Sequence, residues 1–120
     1  MKRSNIELGR KGEEKVCEIL LRRGFLIVER NWRIKDGEID VIAQDRRALF
    51  HFVEVKTRTS IAYGHPFEAI TREKAHRLQK LALAWLATHG QLARDFQIDV
   101  AAVLLTSTGE FQVEIREAVL

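Results

Sequence analysis

Cysteine and proline are almost missing from this sequence. Cys17 is the one cysteine among 120 residues, and Pro66 the one proline. A single thiol cannot form an intrachain disulfide or a cysteine-based zinc site, so a reducing, cytoplasmic setting fits best. With so little proline, no low-complexity tract and no internal repeat, the chain offers no candidate linker. Its length suits one domain over residues 1–120. No apolar run approaches the ~18 residues of a membrane span. The basic start, "MKRSNIELGRKGEEK", lacks the apolar stretch of a secretory signal. A strong excess of one charge is also lacking. Lys and Arg number 20 against 17 Asp and Glu, a net charge of +3, which allows a polyanion partner without requiring one.

What is present is a periodic pattern that switches type along the chain. Val16, Cys17, Ile19 and Leu20 form a stripe at helical spacing, predicting a helix over about Leu8 to Arg23 that Gly24 stops. "FLIVERNW", "EIDVIAQ" and "LFHFVEVKT" read as three strands. Asp36-Gly37 marks one turn between them, and Arg46-Arg47 a second, tight one. Thr57 to Ala69 reads as a loop. Thr71 is a plausible N-cap for a helix to about His89, whose stripe is Leu78, Leu81, Ala82, Trp85 and Leu86. "QIDVAAVLL" and "FQVEIREAV" supply two more strands. The order α-β-β-β-α-β-β predicts an α/β (α+β) domain, with a mixed five-stranded sheet flanked by helices. The helix between the third and fourth strands permits a parallel crossover there.

Acidic residues occupy positions where packing would favour Val or Ile. Side chains alternate along a strand, so Phe50, Phe52, Glu54 and Lys56 share a face. If the second turn is centred on Arg47, Asp40 lies opposite Glu54; a two-residue turn shifts the pairing by one. Glu13 stands three, four and seven residues before Val16, Cys17 and Leu20, which turns it toward the sheet, unlike Glu14 and Glu18. Two unit charges about 4 Å apart repel by roughly 4 kcal/mol at an effective dielectric near 20. Lys56 offsets part of this, and a cation would resolve the rest. Hard oxygen ligands suit magnesium or manganese. The bland alternative is a solvated Glu54–Lys56 pair at a sheet edge, worth little.

An Asp followed by Glu-x-Lys on neighbouring strands resembles the PD-(D/E)xK nuclease superfamily. The match here is Asp40, then Glu54-Val55-Lys56. "GRKGEE", "RNWR", "GEID", "FVEVKTR" and "YGHPFEAIT" are, in that order, similar to the YraN family. These are small bacterial proteins related in core fold to archaeal Holliday-junction resolvases. The resemblance runs from Gly9 to about Val103. It implies a restriction-endonuclease-like core. It also implies a divalent metal, Mg2+ or Mn2+, held by Asp40, Glu54 and the backbone carbonyl of Val55. Lys56 would orient the attacking water or stabilise phosphate charge, and Glu13 would assist from the first helix. Two departures stand out. Ile39 replaces the proline common before the first acidic residue, and Gln97 stands where the YraN pattern has arginine, although Asp99 is kept.

The function so implied is metal-dependent hydrolysis of DNA phosphodiester bonds, on branched or single-stranded DNA. The alternative is a non-catalytic module that binds nucleic acid or protein on the same fold. Arg33, Arg58, Lys74 and Arg77 are the candidate phosphate contacts, set against a solvated helix face as the bland reading. A homodimer would suit a two-fold symmetric junction. The four histidines show no metal-ligand spacing. Tyr63 and Phe67 read as pins of the loop, and Cys17, Trp32 and Trp85 as packing residues.

Overall fold

Apolar stripes and caps account for most of the architecture of this computed structural model, which describes residues 3–59 and 65–120. Helix α1 spans Arg3–Arg22. It begins before the expected Leu8, and its first turns leave no apolar stripe in the sequence since Asn5, Ile6 and Glu7 are exposed. Its end is set by Gly24 at φ +88°, where the amides of Gly24 and Phe25 donate back to the carbonyls of Leu21 and Leu20.

Strands β1 (Leu26–Ile34), β2 (Gly37–Gln44) and β3 (Phe50–Arg58) follow as antiparallel neighbours. The turn between β2 and β3 is a longer loop than the expected Arg46-Arg47 turn. Asp45 Oδ1 accepts the amides of Arg47 at 2.8 Å and Leu49 at 3.1 Å, and Ala48 takes a left-handed φ of 67°. The pairing Val41↔Val53 and Ile42↔Phe52 is the register centred on Arg47, and one more step sets Asp40 against Glu54.

Helix α2 (Arg72–Thr88) starts where the Thr71 hydroxyl accepts the Lys74 amide. It carries the chain across to β4 (Phe96–Leu105), which lies parallel to β3. Strand β5 (Phe111–Arg116) completes a mixed five-stranded sheet in the order β1-β2-β3-β4-β5. The expected α+β fold and element order are those observed. Strand β5 stops short of the expected Val119 because the tail turns back onto β4: the Ala118 amide donates to Asp99 Oδ1 and the Val119 amide to the Ile98 carbonyl.

The sheet separates two cores. Leu78, Leu81, Ala82, Trp85 and Leu86 of α2 pack on Ile42, Phe50, Phe52 and Ile98. Val16, Cys17 and Leu20 of α1 pack on the other face, against Val41, Ala43, Val53, Val55 and Val103. Among the described residues no helix is long and apolar enough to cross a membrane.

Candidate metal centre

The regular alternation of β2 fails at Asp40, and this failure builds the site. Ile39 and Ile42 both face the α2 core, which an unbroken strand would not allow. Opposite them, the β1 register passes from Arg30↔Val41 to Trp32↔Ile39, with Asn31 in a left-handed conformation at φ 53°. Beyond Val41↔Val53 the β2–β3 ladder ends. There the Asp40 carboxylate takes the place of a backbone acceptor, receiving the Val55 amide at 2.8 Å.

The two strands therefore part, and side chains from both faces of the sheet meet in the gap. Glu54 and Lys56 continue the Phe50–Phe52 row of the α2 face, with Lys56 Nζ 3.7 Å from Glu54. Glu13 arrives from α1 on the other face, 3.9 Å from Arg30. Its approach depends on Gly12. A Cβ at that position would stand 2.0 Å from Thr57 Oγ1 and 3.1 Å from Thr57 Cβ, so glycine lets α1 lie close on β3.

Oxygens of Glu13, Glu38 and Asp40 lie within 4.8 Å of one another. Asp40 and Glu54 stand close enough to act on one another directly. Burial pushes Glu54 up to about 8, with the adjacent Asp40 charge adding to it. Burial also raises Asp40, although the Val55 amide pulls the other way. Glu13 rises to about 7, chiefly through burial and then through Asp40, despite a hydrogen bond from Asn31. The cations nearby sit at the margin. Arg33 is turned onto Glu38, donating through Nε at 3.0 Å. Arg30 keeps a buried Nε with no hydrogen-bond partner.

An all-oxygen donor set of this kind fits a hard divalent cation. Glu13, Asp40 and Glu54 are together as the sequence predicts, and Glu38 joins them. The alternation in "GEID" already places Glu38 two residues from Asp40, a signal that could have found it. Val55 is engaged through its N–H, on Asp40. Arg58, exposed, lines a cleft of about 470 Å³ that opens over Glu13, Asp40 and Glu54. Lys74 and Arg77 line a smaller cleft of about 220 Å³ on the α2 side, which reaches Glu54 and Lys56. Arg33 is held by Glu38 at the strand edge. Phe67 is a pin, as expected, while Tyr63 and part of its loop lie outside the described residues.

A second charged cluster went unnoticed in the sequence. His51, 2% exposed, has Nδ1 2.6 Å from Asp99 and Nε2 2.9 Å from Asp45. Burial alone would lower the imidazole, but its two carboxylate partners outweigh that and raise it. Gln97 donates to Asp99 Oδ1 at 2.8 Å. With a carboxylate at each ring nitrogen His51 is drawn toward its protonated form, whereas Gln97 adds only a neutral hydrogen bond.

The description "Uncharacterised protein family UPF0102" matches residues 12–103. The chain belongs to this family. A UPF0102 protein of Beutenbergia cavernae is 50% identical over 112 residues, covering 93% of this chain and 94% of its own. One from Renibacterium salmoninarum is 47% identical over the same shares. One from Trichlorobacter lovleyi is 41% identical, covering 93% of this chain and 88% of its own. Among solved structures, Pyrococcus furiosus SfsA in complex with Ca2+ aligns at a TM-score of 0.44 and 16% identity. The alignment covers 94% of this chain and 63% of SfsA, less than two thirds of that protein.

Proposed function

We propose that this UPF0102 protein is a metal-dependent nuclease of the PD-(D/E)xK type, cleaving phosphodiester bonds in DNA within the cytoplasm. One observation carries the reading: Glu13, Asp40 and Glu54 converge at the floor of an open cleft without enough positive charge of their own, beside a lysine that reaches the same opening. Glu13, Glu38, Asp40 and Glu54 would hold Mg2+ or Mn2+. The cation would supply Lewis-acid stabilisation of phosphate charge and acidify a water.

The chain's own groups do the rest. Asp40 is locked by the Val55 amide, so the donor set is built before substrate arrives. Lys56 presents an ammonium beside Glu54, where it tracks charge developing on the phosphate. Arg58 on one side and Lys74 and Arg77 on the other flank the carboxylates, placed to hold a backbone on either side of the scissile bond.

The test is incubation of wild type and Asp40→Asn with branched, single-stranded and duplex DNA in Mg2+ or Mn2+. Cleavage by wild type and a loss of at least ~10²-fold in Asp40→Asn is the expected result. Binding without cleavage in wild type would replace the enzyme with a non-catalytic binding module.

A further inference from the structure

The carboxylate cleft has two neighbours. It shares Glu54 and Lys56 with the smaller cleft beside Lys74 and Arg77, which shares Ile70 with a third. This last cleft, about 550 Å³, is within the range of about 300–1,000 Å³ typical of ligand pockets. Its floor is apolar, made by Phe67, Val100 and Val119, and Arg72, His76 and Arg116 stand at its rim. Neither arginine pairs with an acid among the described residues.

Arg116 is the distinctive element. Its guanidinium lies over the Phe67 ring at 4.0 Å from the centroid. Phe67 itself is buried, and the His65 ring stacks against it at 4.9 Å. The aromatic ring is therefore covered, and the guanidinium, on an exposed residue, becomes the outward plane. An unpaired nucleobase stacks on such a plane, and the neighbouring cations take its phosphate. A stacked base inside a duplex has no free face to offer it.

We propose that this cleft is a subsite for a single-stranded DNA segment leading away from the carboxylate centre, with an unpaired base seated on Arg116. The assignment rests on the nuclease reading for its substrate class, but it is tested without cleavage. Fluorescein-labelled dT16 and a 16-base-pair duplex are titrated with the full chain in EDTA, followed by anisotropy. Arg72→Glu/Arg116→Glu should weaken dT16 binding at least tenfold. Arg116→Lys, which keeps the charge and removes the plane, should weaken dT16 several-fold and leave the duplex unchanged.

Equal losses on both DNAs with Arg116→Lys, or none on either, would overturn the subsite. If wild type binds neither DNA, the nucleic-acid reading falls and the subsite with it. If wild type binds dT16 and the variants bind it equally well, the subsite alone falls. If the variants behave as stated and no DNA is cut in Mg2+ or Mn2+, the subsite stands and the nuclease reading falls.

Discussion

Two clusters of acids share this sheet and differ in how their charge is balanced. Around His51, two carboxylates approach opposite nitrogens of one buried imidazole, and the remaining oxygen of Asp99 takes Gln97 and the Ala118 amide. Around Asp40, acids from α1, β2 and β3 face one another while their cations stay 3.7 to 3.9 Å off or at the margin. In the first cluster the imidazole sits between two acids at hydrogen-bond distance, with Glu117 3.9 Å from Nδ1. In the second, burial, with the Asp40 charge adding to it, raises Glu13 and Glu54, whereas the hydrogen bond to His51 lowers Asp45 in the first. A closed cluster is suited to holding the fold together. An open, under-neutralised one is suited to taking a cation from solution.

The sharpest way to break the contrast is to remove one acid from each. Asp99→Ala strips His51 and the tail of their shared partner in a site 2% exposed, and should cost roughly 3–5 kcal/mol by denaturant unfolding. Asp40→Asn removes repulsion and should leave stability unchanged or raise it by about 1 kcal/mol. Equal destabilisation by both would make the two clusters alike.

Next is Lys56→Met in DNA cleavage. With the carboxylates left in place, kcat should fall roughly 10²–10³-fold with little change in metal affinity. A loss confined to KM would make Lys56 a simple phosphate contact.

pH separates the clusters by rescue. Between about 4.5 and the raised values of about 7 for Glu13 and about 8 for Glu54, the native state binds protons that the unfolded chain releases. Metal-free stability should therefore fall as pH rises through that window. His51, raised in the native state, stabilises fully below its unfolded value near 6.5, and this contribution is lost as pH climbs through its native value. Both losses run the same way, but Mg2+ or Mn2+ should restore only the first. Thermal melts of wild type and Glu54→Gln from pH 5 to 9, with and without metal, would reveal a cation that rescued neither.

The smallest expected effect is at Gly12. Gly12→Ala gains helix propensity of about 1 kcal/mol but must push α1 off Thr57. Net stability should shift by less than about 1 kcal/mol, while metal affinity should weaken because Glu13 moves away from Asp40. Unchanged affinity would remove Glu13 from the centre.

Much of this was legible in the sequence because it rests on periodicity. The stripes of α1 and α2 and the Thr71 cap follow from spacing alone, while the β2–β3 register stayed open by one residue until the length of the turn was known. Glu13 could be turned toward the sheet from its distance to Val16 and Leu20. The local break at Asp40 could not be read, since it depends on where the β2–β3 ladder ends and on Asn31 across from it. Nor could the meeting of two sheet faces there, which brings Glu13 to Glu54. His51 was passed over because its partners, Asp45 and Asp99, are 6 and 48 residues away and show no local motif.

The proposed divalent cation belongs to the Asp40 cluster rather than to His51, Asp99 and Glu117, the other acidic group whose ligand atoms lie within 4.8 Å of one another. Calorimetric titration of Mg2+ and Mn2+ into wild type, Asp40→Asn and His51→Gln tests this directly. Binding to wild type and to His51→Gln, lost in Asp40→Asn, is the predicted result. No binding to wild type, or binding that survives Asp40→Asn, would contradict it.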